Sequence, residues 1–153
     1  MDNLAPHPGD NFPADNFDAP DEPWFIEPKD KDPRDEHKRQ VAVVAFLRKQ
    51  GLIVYAVDNG GRMSAGLKLW KWRQGVTAGA LDLEVKWPLG RSAVIEMKDG
   101  RGMPTREQRG MLNDLYRAGV PCAVCRTPGG VAAFLRSVGC PISGDPIGRG
   151  WTE

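Results

Sequence analysis

At 153 residues and 41% hydrophobic content, the chain has room for one domain with a real core plus tails. Its opening, MDNLAPHPGD, has no basic stretch followed by an apolar one, and its longest apolar run, VAVVAFL, is far too short to span a bilayer, so a cytoplasmic protein is expected. The net charge of +1 hides a division: residues 1–33 hold nine acids and two bases, leaving 19 Lys+Arg against 11 Asp+Glu, a net +8, in residues 34–153, and a basic domain suits the handling of phosphates.

Residues 1–33, rich in Pro, Asp and Asn, lack the periodicity that buries a face and read as a disordered acidic arm. Order is expected from Asp32-Pro33, with Asp as cap and Pro at the first helical position, and the helix runs through VAVVAFLRKQ to a stop at Gly51. LIVYAV reads as a strand and DNGG as a turn; SAGLKLWKWRQ is a short helix ended by Gly75. Two strands follow, LDLEVKW and SAVIEMK, then the loop DGRGM. Thr105 with Gln108 forms a capping box for a long helix ending near Gly119. PCAVCR is the last strand, GVAAFLRSVG a final short helix, and residues 139–153 a loose tail. The order predicts an α/β domain over residues 34–138, a mixed central sheet flanked by helices.

The Cys122-x-x-Cys125 pair falls on a strand, where positions three apart point to opposite faces; two small packed residues are expected rather than a redox or zinc site. The phrase Glu-x-Lys occurs twice, as Glu84-Val85-Lys86 and Glu96-Met97-Lys98. A three-residue turn Pro88-Leu89-Gly90 pairs Trp87 with Arg91, and counting back sets Asp82 opposite Glu96 while Glu84 faces Val94. Opposed carboxylates repel and disfavour the sheet unless a cation lies between them. Lys98, on the face of Glu96, is part of that answer, and a divalent metal is the rest. Glu96 and Lys98, with Asp82, are therefore the chemical candidates.

GALDLEV followed by AVIEMKDGRGMPTREQ resembles the virus-type replication-repair nuclease (VRR-NUC) branch of the PD-(D/E)XK nucleases, over about residues 34–136. The resemblance implies a restriction-endonuclease-like fold, with Asp82 and Glu96 as ligands of Mg2+ or Mn2+, the Met97 backbone carbonyl beside them, and Lys98 as the catalytic lysine. It adds Gln108 at the start of a helix and an acid on the first helix, for which Glu36 is the best match. Leu81 stands where the family usually has proline. The residues themselves leave two of these roles open: Glu36 continues the stripe of Gln40, Val43, Val44 and Leu47 but also suits a first helical turn, and Gln108 is also a capping residue.

The activity so implied is metal-dependent endonucleolytic hydrolysis of DNA, of branched or otherwise structured form in replication, repair or recombination, by a chain that pairs as a homodimer. The alternative is an inactive nucleic-acid-binding or regulatory module on the same fold, and a third reading is a protein-interaction adaptor that uses the acidic arm. Arg62, Lys68, Lys71 and Arg73 before the site, and Arg101, Arg106 and Arg109 after it, would bind phosphates without reading sequence. Trp70 and Trp72 either stack on bases or pack the short helix onto the sheet. His7 and His37 are not expected to take part.

Overall fold

In the computed structural model, the described residues are 20–57, 64–77 and 79–144. They form β1 (Phe25–Ile26), α1 (Glu36–Lys49), β2 (Ile53–Ala56), α2 (Ala65–Arg73), β3 (Leu83–Trp87), β4 (Arg91–Met97), α3 (Arg106–Arg117), β5 (Cys122–Cys125) and α4 (Pro128–Ser137). One mixed sheet has the order β1-β5-β4-β3-β2. β2, β3 and β4 pair antiparallel, whereas β5 runs parallel to both β4 and β1.

The β3–β4 hairpin has the expected register, Trp87 opposite Arg91 and Glu84 opposite Val94. Its turn uses two left-handed residues, Leu89 at φ 70° and Gly90 at φ 68°, where glycine alone was expected to supply that conformation. Alternation along β3 sends Leu83, Val85 and Trp87 to one face, where they join Val43 and Leu47 of α1 and Val131, Phe134 and Leu135 of α4. On the other face Val94, Cys122 and Val124 pack with Leu112 of α3 and with Trp24. Cys122 and Cys125 thus serve opposite faces, as free, buried thiols. Burial raises both, Cys122 to about 11, which suits packing rather than thiolate chemistry.

Three boundaries differ from the expectation. The α1 cap is Asp35, whose carboxylate accepts the Lys38 N–H at 2.9 Å, rather than Asp32. Residues 1–19 of the expected arm lie outside the described residues, but from Pro20 onward the segment is built into the domain. Phe25–Ile26 adds a strand beside β5, and the Trp24 indole N–H donates to buried Asn113 at 2.9 Å. At the other end, Cys140 is buried in the core and Ile142 packs against it, so at least residues 140–142 belong to the domain. Composition concealed both ends because their partners are distant in sequence: Pro and Asp permit a strap that supplies little periodicity of its own.

α2 begins at the Ser64 cap and buries no residue fully. Trp72 is half-buried and Trp70 is 58% exposed, so Trp70 does not serve as a packing anchor. The expected DNGG turn, with Arg62, lies outside the described residues.

Candidate functional site

The sheet ends that point toward the loop after β4 gather the acids singled out by sequence. Asp82 sits one residue before β3, at a bend that breaks the alternation: Leu81 is buried with the α3-side cluster instead of joining Leu83 on the opposite face. This turns the Asp82 carboxylate toward the end of β4, where Oδ2 accepts the Met97 N–H at 2.8 Å. The Asp82 carbonyl accepts from Val57 at 2.9 Å, which holds the bend to the end of β2. Gly79, at φ 79°, brings the approach to Asp82 against α3; a Cβ there would lie 2.5 Å from the Glu107 carbonyl oxygen.

Glu96 has no exposed surface, and neither of its carboxylate oxygens makes a hydrogen bond. Its ion partner is Lys98, with Nζ 3.2 Å from Oε1 but without hydrogen-bond geometry. Burial, followed by the negative charge of Asp82, pushes the Glu96 carboxyl up to about 8 against the pull of Lys98. Burial also raises Asp82, although the Met97 N–H, then Lys98 and the neighbouring Glu96 carboxyl favour its ionised form. A buried carboxylate that has only one lysine beside it and a second acid nearby is costly to ionise, so Lys98 offsets the charge of this site only in part.

Lys98 follows β4, its N–H bonded to the Cys125 carbonyl at 3.0 Å and its side chain largely buried. Its ammonium also stands 3.9 Å from Oε2 of Glu36, at the start of α1. Burial raises Glu36, and the charges of Asp82 and Asp99 add to this against Lys98. Glu36, Glu96 and Lys98 are therefore together, with Asp82 coupled to them electrostatically. Gln108 is engaged elsewhere: its side chain accepts the Thr105 N–H at 2.8 Å, closing the capping box of α3.

Among the basic candidates, Lys68 and Arg73 are exposed on α2 with Lys71 half-buried, and Arg101 and Arg106 are exposed. Arg109 is engaged by Asp21 at 2.9 Å. Glu84 is remote from the acids in register and bonds instead to the Tyr55 hydroxyl. Among the described residues, no three His, Cys, Asp or Glu side chains are grouped to hold a metal ion; Asp82 and Glu96 offer a two-carboxylate site.

Sequence reasoning missed the residues beneath this site. Arg39 and Arg126 are both fully buried. Arg39 reaches Asp30 through two nitrogens, at 2.7 and 2.8 Å, and the carbonyls of Asp32, Arg34 and Arg126. Glu27 accepts from the backbone N–H groups of Arg126 and Thr127, capping the entry to α4. The signal available for Arg39 was its position four residues before Val43, on the buried stripe of α1.

No family model matches the sequence, and no curated protein is significantly similar to it. In structure, the chain is similar to a solved VRR_NUC domain at 20% sequence identity and a TM-score of 0.50, with the match covering 66% of this chain and 94% of that one. The chain therefore has the fold of a VRR_NUC domain: a five-stranded mixed sheet between helices, as the sequence resemblance implied.

Proposed function

We propose that this chain is a divalent-metal-dependent nuclease that hydrolyses phosphodiester bonds in DNA. The observation that carries the reading is Glu96, a wholly buried carboxylate without a hydrogen bond, beside a second acid and under a lysine. A protein interior rarely keeps such a group for stability.

The donors fit a hard divalent ion. Asp82 and Glu96, with the Met97 carbonyl, would hold Mg2+ or Mn2+, and Mg2+ commonly takes only one or two protein carboxylates and retains waters. When bound, such an ion supplies Lewis acidity and positive charge at the scissile phosphate. Lys98 carries a proton and a charge into the same space. It orients the attacking water or offsets the charge that grows on the phosphoryl oxygens, and its partial burial strengthens that interaction. Glu36 restrains the ammonium from the α1 side. Lys68, Lys71, Arg73, Arg101, Arg106 and Arg109 contact backbone phosphates, with Trp70 free to stack on an unpaired base. The family resemblance extends the proposal to branched or structured DNA, to replication, repair or recombination, and to a homodimer. No helix among the described residues is long and apolar enough to cross a membrane.

Purified protein incubated with linear, single-stranded, flapped and four-way DNA, in Mg2+, Mn2+ or chelator, tests this. Cleavage is expected in metal alone and is abolished in folded Glu96→Gln and Lys98→Ala. Cleavage that persists in chelator, or absence of cleavage across the panel in both metals, overturns the proposal.

A further inference from the structure

The loop after Lys98, residues 99–102, is held from below by one buried guanidinium. Arg126 donates through Nη1 to the carbonyls of Asp99 at 2.5 Å and Gly102 at 2.7 Å, and through Nε to the Glu27 carbonyl at 3.0 Å. Both ends of the loop therefore rest on the same side chain. The Asp99 carboxylate closes the loop from within by accepting the N–H groups of Arg101 at 2.9 Å and Gly102 at 2.6 Å.

This loop passes beside the lysine. A Cβ on Gly102 would lie 3.4 Å from Cδ of Lys98 and 3.1 Å from Oδ1 of Asp99, so Gly102 faces the lysine stem across a gap about the width of one methyl group. Cys125, the residue before Arg126, accepts the Lys98 N–H, and Arg39 in turn fixes the Arg126 carbonyl at 3.0 Å. Lys98 is thus fixed at its backbone by β5 and flanked along its stem by a loop that Arg126 anchors. The guanidinium hydrogen-bonds neutral acceptors, three carbonyls and the Met103 sulfur, while its charge also acts on the Asp99 and Asp30 carboxylates nearby. An apolar residue would fill such a place at lower desolvation cost, but only a planar fork can tie carbonyls of separate segments together.

We propose that Arg126 is a positioning residue for Lys98: it fixes the Asp99–Gly102 loop against the lysine stem and so keeps the ammonium between Glu96 and Glu36. The role given to Lys98 rests on the nuclease reading, but its placement can be measured without DNA or metal.

Three variants decide the matter. Arg126→Lys keeps the charge and loses the fork; Gly102→Ala sets a methyl 3.1 Å from Asp99 Oδ1 and so shifts the loop's own closure without touching Arg126; Val85→Ala, in the middle of β3, is a core truncation away from the loop. Acylation of Lys98 in chelator, read by peptide mass spectrometry well below each melting temperature, is expected to rise about 10-fold in Arg126→Lys and Gly102→Ala over a Val85→Ala control with an equal or larger melting loss. On DNA, kcat is expected to fall about 10- to 100-fold with KM within about twofold, as for a misplaced group that does not bind substrate. Lys98 labelling no higher than in the control, in both loop variants, overturns the proposal, as does unchanged kcat. Should Arg126→Lys fail to fold, Gly102→Ala carries the same two readouts. Wild-type protein that cleaves no DNA defeats the nuclease reading, while the labelling still decides whether Arg126 places Lys98.

Discussion

Neutralising Glu96 should stabilise the metal-free protein at alkaline pH, which is unusual for a fully buried charged position. The Glu96 carboxyl stands at about 8 against an ordinary 4.5, so the folded state holds a proton that the unfolded chain releases. Stability from this group is fully present below about pH 4.5 and is lost as pH rises toward 8, amounting to roughly 5 kcal/mol once both states are ionised. Glu96→Gln abolishes that slope. The attraction of Lys98 is already contained in that raised carboxyl, so its loss is not a separate cost, and Lys98 keeps Glu36 at 3.9 Å as a carboxylate partner. The expected gain is therefore several kcal/mol, at most about 5, near pH 8.5, or on the order of 10–20 °C in melting temperature for a domain of this size, and less than about 1 kcal/mol at pH 5. Thermal melts of wild type and Glu96→Gln in chelator, from pH 5 to 9, are the assay. Parallel curves, or a variant less stable at every pH, would refute the claim that Glu96 is a buried acid whose charge Lys98 offsets only in part.

Asp82→Asn can still accept the Met97 N–H through its amide oxygen, so in chelator its melting temperature should stay within about 3 °C of wild type. Added Mg2+ or Mn2+ should raise only the wild type, and only the wild type should cleave. Glu84→Gln should retain nearly full activity, because Glu84 faces Val94 and bonds to Tyr55 at the surface; activity lost there but kept in Glu96→Gln reverses the choice between the two Glu-x-Lys phrases. Gly79→Ala meets the Glu107 carbonyl at 2.5 Å and needs a left-handed φ of 79°, so a loss of about 2 kcal/mol and a steep fall in cleavage are expected in melts and assays. Removing residues 1–19 deletes four acids and no base and should tighten DNA binding at low salt, with the advantage fading as salt rises. Removing residues 1–31 also deletes Trp24, Glu27 and Asp30 and should destabilise the fold by more than about 3 kcal/mol, read as a lower denaturant midpoint.

What the sequence could and could not reveal follows the range of each interaction. The β3–β4 hairpin was legible because a short turn fixes its register from Trp87–Arg91 to Leu83–Ile95; Asp82 lies just beyond it, at a bend, and reaches β4 through the Met97 N–H. The α3 cap was legible because Thr105 and Gln108 are three residues apart. The strap from Trp24 to Asp32 was not: it acts through Asn113, Arg126, Thr127 and Gly100, some 70 to 100 residues away. Arg39 and Arg126 were hidden for a different reason. Arginine in a basic domain reads as a phosphate ligand, and nothing local distinguishes a guanidinium in solvent from one buried on carbonyls. The two kinds of charge therefore divide by depth. Lys68 and Arg73 on α2 and Arg101 in the loop stand at the surface, where the proposed phosphate contacts would need them, while Arg109 is engaged by Asp21 and the buried pair is bonded to backbone carbonyls and Asp30. A substitution series across all of these arginines should separate accordingly: the exposed ones change the salt dependence of DNA binding, whereas Arg126 changes turnover without changing it.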